Sequence, residues 1–471
     1  MFIDESRCRD CHEPEYERWR GSHHDLAMQP ATAETVLGDF DDATFSYFGV
    51  TSRLFKRGGK FFVRTDGPDG RLADFEILYT FGVTPLQQYL VALDGGRLQA
   101  LPIAWDTAGR RWFHLYPDEP IRAGDQLHWT GIYQNWNMMC AECHSTGVRK
   151  NYDPATGRYQ TTWFQIDVGC QACHGPGSLH VAWAEARERG RSAEQAQRQG
   201  AAGDSANGLL LHLARTAPGA WRLDPATLKY YRSAPRASDV EIETCARCHA
   251  RRRTIDEQPP AGRPLLDTHV PELIGEPLYF ADGQIREEVY VYGSFLQSKM
   301  YRRGVRCSDC HDPHSLRLAY PADNVCASCH LDNVYAGASH HFHKAGSAGA
   351  SCIACHMPPR TYMQVDVRRD HSFRIPRPDL SVEFGTPNAC TSCHEDKTPE
   401  WAAAAARTWW GNPAGRPPTT AALLARASRG DAQAARALAG DETLSGLVRA
   451  SALAMLAVAG GSPAAGSAEF T

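Results

Sequence analysis

Residues 307–330 read CSDCHDPHSLRLAYPADNVCASCH, and this stretch contains the pattern Cys-x-x-Cys-His twice. The pattern occurs eight times in the 471-residue chain and accounts for all sixteen cysteines. We number the copies motifs 1 to 8 in chain order: residues 8–12, 140–144, 170–174, 245–249, 307–311, 326–330, 352–356 and 390–394. Their cysteines are Cys8, Cys11, Cys140, Cys143, Cys170, Cys173, Cys245, Cys248, Cys307, Cys310, Cys326, Cys329, Cys352, Cys355, Cys390 and Cys393. Their histidines are His12, His144, His174, His249, His311, His330, His356 and His394.

Cys-x-x-Cys-His is the attachment pattern of c-type haem. The two thiols add across the vinyl groups of the porphyrin, and the imidazole that follows binds the iron. Zinc sites need cysteine pairs that meet one another but no histidine after each pair, and disulfides leave that histidine unexplained. The sequence therefore predicts eight covalently attached haem c groups, each with its iron.

The other twelve histidines supply candidate sixth ligands for these irons. We expect ligands among His23, His24, His128, His180, His269, His314, His340, His341, His343 and His371, while His114 and His212 are weaker candidates. Four methionines, Met28, Met138, Met139 and Met300, are alternatives, although a buried methionine is more often core filler. Twelve histidines outnumber eight irons, so we expect mostly bis-histidine ligation, which lowers the haem potential and suits electron transfer.

Two of these candidates follow a motif closely. His314 lies three residues after His311, and His180 lies six residues after His174. Neither can easily reach the far face of the haem that its neighbour holds, because the chain there is fixed to the near face. We expect each of them to bind the iron of a different motif.

Charge and hydropathy limit the surroundings in which the protein works. The formal net charge of −4 argues against a nucleic-acid partner held by bulk charge. No stretch reaches the roughly 18–20 apolar residues that span a bilayer, so we expect no transmembrane segment.

Haem c is attached outside the cytoplasm, so we expect an exported protein, periplasmic or extracellular. No signal peptide precedes Cys8, and we therefore expect the numbering to begin near a mature N-terminus.

Motif spacing divides the chain into four expected segments. Residues 1–34 hold motif 1, and residues 35–135 form a β-rich insert with alternating runs separated by turn pairs such as Gly58-Gly59. Residues 136–397 carry motifs 2 to 8, and residues 398–471 form a helical, HEAT-like segment broken at Gly430-Asp431 and Gly440-Asp441. We therefore predict a mainly α and irregular fold wrapped around stacked haems, with a small antiparallel β module inserted and an α-helical repeat segment at the C-terminus.

Several segments resemble a bacterial family of multihaem (octahaem) c-type cytochromes with C-terminal TPR or HEAT-like repeats. The resemblance spans residues 8–412 and is carried by FGVTPLQQYLV, RWFHLYPDE, HWTGIYQNWNMMCAECHSTG, CHGPGSLHVAW, YGSFLQSKMY and RRDHSFRIPRPDLS. It implies the cofactor and the layout but no reaction. More distantly, the CHMP of motif 7 and the DHS that follows it are similar to the superfamily of cytochrome c nitrite reductase and hydroxylamine oxidoreductase. No motif here has the Cys-x-x-Cys-Lys form of the pentahaem nitrite reductases, so no catalytic residue is carried over.

Two functions remain open on the sequence. The first is an electron conduit that exchanges electrons with redox partner proteins and could associate end to end into a longer haem chain. The second is a reductase of a small nitrogen or sulfur oxyanion at one five-coordinate haem, with Arg251–Arg253, Lys299 or Tyr301 beside the iron. Arginines beside a haem more often pair with its propionates. We expect the conduit, and thus an electron-transfer protein rather than an enzyme.

Overall fold

The fold is taken from a computed structural model, which describes residues 1–189, 207–211, 213, 220–226, 228–257, 261–321, 323–411 and 418–459. His212, one of the weaker ligand candidates, lies outside the described residues. Within them, no helix is both long and apolar enough to span a bilayer.

A nine-stranded antiparallel sheet occupies most of the chain between motifs 1 and 2. Its strands are β1 (Met28–Pro30), β2 (Ala43–Tyr47), β3 (Val50–Arg57), β4 (Lys60–Asp66), β5 (Leu72–Phe81), β6 (Leu86–Leu93), β7 (Arg97–Ala100), β8 (Ile103–Asp106) and β9 (Arg111–His114). Their order is β2-β3-β4-β5-β6-β8-β9, with β1 paired to β5 and β7 paired to β6.

Two-residue turns bring the first strands of the sheet into register. Gly58 and Gly59, with φ of 60° and 77°, join β3 to β4, and this left-handed backbone favours glycine. The sheet curls until its edge strands meet, where the ring of Tyr47 on β2 stacks on that of His114 on β9 at 3.6 Å between ring centres. The interior of the curl is a cluster of buried side chains: Phe40, Leu54, Phe61, Val63, Ile77, Tyr89, Val91, Leu101, Trp105 and Trp129.

The expectation of a mainly α fold is wrong. The chain has 33% helix against 21% strand, and its largest regular element is the curled sheet. The physical reason is that the segment between motifs 1 and 2 buries an apolar core of its own. It therefore folds without packing around a haem. The insert that the sequence suggested as a small module is therefore a major part of the fold.

Short helices and hairpins carry the motifs. Helices extend over Ser6–Trp19, Trp136–Met139, Ala141–His144, Cys170–His174, Ser178–Glu188, Val240–His249, Tyr292–Gln297, Lys299–Arg302, Asn324–Ala327, Asp332–Tyr335, Ala338–His341, Cys352–His356 and Pro378–Phe384. Two-stranded hairpins pair Tyr152–Asp153 with Arg158–Tyr159, Trp221–Asp224 with Lys229–Arg232, Arg252–Thr254 with His269–Pro271, and Pro359–Tyr362 with Asp366–Arg369. Most of these elements are too short to enclose a core without a partner surface.

The C-terminal part contains longer helices, Pro399–Trp410, Thr420–Ser428, Ala432–Gly440 and Gly446–Ala459. Local sequence fixes their starts. Thr398 accepts a hydrogen bond from the Trp401 amide, and Asp431 accepts from the amides of Gln433 and Ala434. The last three helices share a buried cluster with residues 274–289 that includes Tyr279, Leu424, Leu438 and Val448, so they pack against the polypeptide of the motif region.

Candidate haem-binding and redox site

Each motif places its histidine at the end of a tight turn or of a short helix. In motif 7 the helix Cys352–His356 contains both thiols, and Nδ1 of His356 donates to the Arg374 carbonyl at 2.5 Å. A proton held at Nδ1 leaves the Nε2 lone pair free for a metal and fixes the orientation of the ring. Motif 7 thus presents the nitrogen that haem iron requires. In motif 2, Nδ1 of His144 is buried and has no hydrogen-bond partner among the described residues.

Six motif histidines have a second imidazole directly across from them. The pairs, with distances between ring centres, are His12 with His180 (6.1 Å), His249 with His24 (6.3 Å), His174 with His314 (6.4 Å), His311 with His371 (6.5 Å), His356 with His340 (6.1 Å) and His394 with His343 (6.2 Å). Each pair joins one motif histidine to one histidine outside the motifs. His180 and His314 both face a histidine of a motif other than the one they follow.

The separation within these pairs matches ligation of one ion from both sides. An imidazole nitrogen binds a zinc ion at about 2.0–2.1 Å, and with the ring centre about 1.1 Å farther out two opposed imidazoles have centres roughly 6.3 Å apart. Direct stacking would bring the rings much closer, as the Tyr47 and His114 rings show at 3.6 Å. The six gaps therefore fit an iron and the plane of its macrocycle.

The imidazoles across from the motifs are oriented in the same way. Nδ1 of His180 donates to the Asn207 carbonyl at 2.7 Å, and Nδ1 of His371 donates to the Arg369 carbonyl at 2.9 Å. Burial and the nearby His249 lower the pKa of His24 to about 4. This favours the neutral ring, which is the form that binds metal.

Two motif histidines lack such a partner among the described residues. The rings of His144 and Phe81 meet edge to face with centres 5.6 Å apart, and the rings of His330 and Tyr335 do so at 5.5 Å. Phenylalanine has no atom that binds iron, and an edge-to-face tyrosine contact at this distance is not the opposed arrangement of the six imidazole pairs. Motifs 2 and 6 therefore differ from the other six in how their irons would be coordinated.

Other predicted ligand histidines lie elsewhere. His128 is buried beside the sheet, with Nδ1 2.8 Å from the Thr130 hydroxyl and Nε2 3.2 Å from Asp66. His269 is also buried, with Nδ1 2.7 Å from the Thr268 hydroxyl and Nε2 2.8 Å from Glu142. Both ring nitrogens of each histidine therefore have partners. Neither ring lies opposite a motif histidine among the described residues.

The remaining histidines include one buried ring and one exposed ring. Nε2 of His341 lies 3.1 Å from the Ala336 carbonyl, and its Nδ1 accepts a hydrogen bond from the His343 amide. His23 is exposed at the end of the first segment. Of the methionines, Met138 and Met139 are exposed, Met28 is buried, and Met300 lines the cavity described next.

A continuous cavity of about 3360 Å³ runs past the motifs. Cysteines or histidines of seven motifs line it, but no described residue of motif 2 does. Two arginines on its wall have buried nitrogens without a hydrogen-bond partner among the described residues: Nε of Arg302, and Nε and Nη2 of Arg306. Buried guanidinium groups need acceptors, and carboxylates are their preferred ones. Haem propionates would supply those acceptors, so the cavity and its lining fit haem.

Thiols of different motifs lie close enough to perturb one another. Hydrogen bonding between thiols shifts the pKa values in the pairs Cys8 with Cys170, Cys143 with Cys248, Cys245 with Cys307, and Cys326 with Cys352. Electrostatic interactions link Cys173 with Cys245 and Cys248, Cys310 with Cys329, and Cys355 with Cys390 and Cys393. The proximity of these thiols orders the motifs as 1-3-4-5-6-7-8, with motif 2 beside motif 4.

Of the cationic and hydroxyl groups suggested from the sequence, Lys299 lines the cavity and the others have protein partners. Nη1 of Arg251 donates to the Glu288 carbonyl at 3.3 Å, and Nη1 of Arg252 lies 3.3 Å from Glu142. The Tyr301 hydroxyl donates to Asp239 at 2.8 Å. These partners engage Arg251, Arg252 and Tyr301 within the protein. Arg302 and Arg306 were not predicted, and their only signal in the sequence is their position just before motif 5.

A partly buried carboxyl lies close to motif 3. Oδ1 of Asp167 is buried and has no hydrogen-bond partner among the described residues. Burial, together with the charges of Glu5 and Asp25, raises the pKa of Asp167 to about 7. Its neutral form is therefore the stable one in the folded protein at mildly acidic pH.

This carboxyl should make stability depend on pH. A free aspartate has a pKa of about 3.9, so between about pH 4 and 7 the folded protein holds a proton that the unfolded chain has lost. The stabilisation is complete at low pH and is lost as pH rises through 7. We expect Asp167→Asn to match the wild type near pH 4 and to exceed it at pH 8, measured as denaturation midpoints. The exposed Asp10→Asn is the control, and an unchanged pH slope in Asp167→Asn would contradict this assignment.

Comparison with known proteins agrees with this geometry. Residues 7–38 and 123–175, which include motifs 1, 2 and 3, match the family described as cytochrome c554 and c-prime. No curated protein sequence matches the chain.

Two solved structures are similar in fold. The crystal structure of the outer cell wall cytochrome OcwA aligns with a TM-score of 0.56 and 16% identity, covering 98% of this chain and 99% of that one. The undecahaem cytochrome from the S-layer of Carboxydothermus ferrireducens aligns with a TM-score of 0.40 and 15% identity, covering 98% of this chain and 66% of that one. The family match is to a family of c-type cytochromes and includes three of the haem-attachment motifs, and the fold resembles that of the outer cell wall cytochrome OcwA.

Proposed function

We propose that this protein transfers electrons along eight covalently attached haems, six of which are bound by two histidines. The observation that carries the proposal is the set of six imidazole pairs, each spaced for one iron. Two imidazoles fill both axial positions of an iron and stabilise its oxidised state, which suits electron transfer better than substrate binding.

The contacts between motif thiols support a continuous redox path. Since thioether sulfurs are bonded to the macrocycle, sulfur atoms in contact bring the edges of two haems together. Electrons would pass through motifs 1, 3, 4, 5, 6, 7 and 8 in turn. In the Cys326 and Cys352 pair the two sulfurs lie within 4.8 Å of one another, as part of a group with Asp323.

Both ends of this path lie at the protein surface. Of the sixteen motif cysteines, Cys11 of motif 1 and Cys393 of motif 8 are the exposed ones. Redox partner proteins would therefore exchange electrons at these two ends, and contact between motif 8 of one copy and motif 1 of another would extend the path. The outer cell wall location named for OcwA supports an exported protein.

A second candidate function is reduction of a small molecule at one haem. Motifs 2 and 6 favour it, because His144 and His330 have no imidazole across from them among the described residues. A nitrogen or sulfur oxyanion remains the candidate substrate from the sequence. Catalytic reoxidation of fully reduced protein by nitrite, hydroxylamine or sulfite would favour this function over simple conduction.

The proposal makes a direct prediction about cofactor content. Eight motifs should give eight covalent haems, so the intact mass of matured protein should exceed the polypeptide by eight haems after acid–acetone extraction. Covalent haem survives this treatment, whereas non-covalent haem is removed. A fully matured protein that retains fewer than eight haems would refute the proposed path.

A further inference from the structure

One short segment, residues 369–374, holds imidazoles that belong to two different irons. The Arg369 carbonyl accepts a hydrogen bond from Nδ1 of His371 at 2.9 Å, and the Arg374 carbonyl accepts one from Nδ1 of His356 at 2.5 Å. The Arg374 amide also donates to the His356 carbonyl at 2.9 Å. His371 is the imidazole across from motif 5, whereas His356 is the histidine of motif 7. The same six residues therefore orient one axial ligand at each of two motifs.

The side chain of Arg374 is fixed between two buried carboxylates. Its Nη1 donates to Oδ2 of Asp282 at 3.3 Å, and its Nη2 donates to the Asp282 carbonyl at 2.9 Å. Its Nε faces Oδ2 of Asp370 at 3.8 Å. The side chains of Asp282 and Asp370 are 4% and 2% exposed, and that of Arg374 is 12% exposed. Because loss of the guanidinium would leave buried carboxylates without this compensation, Arg374 is held firmly in place.

Asp370 connects this ion pair to the backbone on both sides of His371. Oδ1 of Asp370 accepts from the amide of Ser372 at 2.7 Å and from its hydroxyl at 2.5 Å, and Oδ2 accepts from the Ile285 amide at 3.2 Å. The His371 amide itself donates to the Ser294 hydroxyl at 3.3 Å. The backbone around His371 is thus fixed by hydrogen bonds to residues outside the motifs.

We propose that Arg374 is a positioning residue for two irons at once. Its ion pairs hold the carbonyl that orients His356 of motif 7 and, through Asp370, the segment that orients His371 opposite motif 5. The inference rests on the proposed haem loading and adds a residue that couples two carriers. Motif 6 lies between motifs 5 and 7 in the proposed path, so this coupling runs through the polypeptide past an intervening haem. A hydrogen bond at Nδ1 sets both the orientation and the basicity of an imidazole ligand, so one substitution should affect both irons.

The test is Arg374→Lys, which keeps the charge but loses the planar guanidinium. An ammonium group cannot bond the carboxylate and the carbonyl of Asp282 and still face Asp370. We expect the Nδ1 hydrogen bonds of both imidazoles to weaken, which should raise the midpoint potentials of both haems and change the angle between the two rings on each iron. The matched control is Arg368→Lys, because Arg368 pairs with two carboxylates at 2.6 Å and has no hydrogen bond to either imidazole.

Electron paramagnetic resonance distinguishes the two haems from the others. His371→Gly and His340→Gly should each remove one low-spin signal, and these losses mark the signals of motifs 5 and 7. The g values of a low-spin bis-histidine haem depend on the angle between its ring planes, which is 30° in the motif 5 pair and 17° in the motif 7 pair. In Arg374→Lys we expect these two signals to shift together while the other signals stay as in the wild type. Arg368→Lys should shift neither of them.

Asp282→Asn gives a second reading that leaves Arg374 in the chain. It should shift the same two signals by a smaller amount, because a neutral amide oxygen still accepts a hydrogen bond but attracts the guanidinium less strongly. A shift of one signal without the other, of neither, or of every low-spin signal alike would overturn the proposal. The proposed function fails separately, if His371→Gly and His340→Gly remove no low-spin signal from the wild-type spectrum.

Discussion

Removal of the haem position at motif 4 should lower electron transfer between the two ends of the protein by orders of magnitude. Motif 4 contacts motif 2 through Cys248 and motif 5 through Cys245, and both of these thiols interact with Cys173 of motif 3. Without its haem, the gap between motifs 3 and 5 has no carrier, and tunnelling rates fall steeply with distance. The variant is Cys245→Ala/Cys248→Ala, and the readout is current through single molecules held by anchors beside Cys11 and Cys393.

The matched control removes the haem position at motif 2 instead of that at motif 4. Cys140→Ala/Cys143→Ala also deletes one haem, yet it should leave the current close to that of the wild type. The two variants lose the same number of cofactors, so a difference between them reports the position in the path. Equal losses of current in both variants would contradict the order of the motifs proposed here.

Replacement of His371 by glycine should convert one low-spin iron to high spin and raise its potential. His371 faces His311 at 6.5 Å between ring centres and is half-buried, so water rather than another imidazole would occupy the freed position. Axial ligands set haem potentials over a range of roughly 0.8 V, and loss of one imidazole should move this haem by about 0.1–0.3 V. Electron paramagnetic resonance and redox titration measure the two effects.

Free imidazole provides the rescue for this variant. Imidazole should occupy the freed coordination position in His371→Gly and restore the low-spin spectrum. A high-spin signal caused by misfolding would not be reversed. His128→Gln is the matched control, because His128 is buried beside the sheet with both ring nitrogens hydrogen-bonded and should not affect any iron. A spin change in the control with none in His371→Gly would contradict the proposed ligand set.

The residues predicted to attach haem can be recognised in the sequence because their chemistry is local. Two thiols and an imidazole within five residues form a complete attachment unit, and no tertiary information is needed to recognise it. The pairing of motif histidines with distal histidines could not be obtained in this way. His24 faces His249, for example, and nothing near either residue in the chain indicates the other.

The expected ligands that lie elsewhere show why composition is insufficient. His128 and His269 were predicted as ligands because the chain has twelve histidines outside the motifs and eight predicted irons to coordinate. The structure gives each of them a carboxylate partner instead, Asp66 for His128 and Glu142 for His269. A buried histidine that is satisfied by hydrogen bonds cannot be distinguished from a metal ligand until the tertiary contacts are known.

The error in fold class has a related cause. Alternating residues and turn pairs between motifs 1 and 2 correctly indicate strands, such as β4 and β6. How many strands join one sheet depends on pairings between distant segments, as in β1 with β5 and β2 against β9, and local patterns do not report these. The predicted fold class was based mainly on the motif-bearing region, because its Cys-x-x-Cys-His pattern is so regular.

Each of the six imidazole pairs should hold one iron. A crystal structure of the matured protein, with irons located by anomalous scattering, measures where the irons lie. We expect eight iron sites, six of them midway between the paired rings, such as His12 with His180 and His174 with His314. Irons at the motif histidines with different imidazoles opposite them, or with none, would contradict the account.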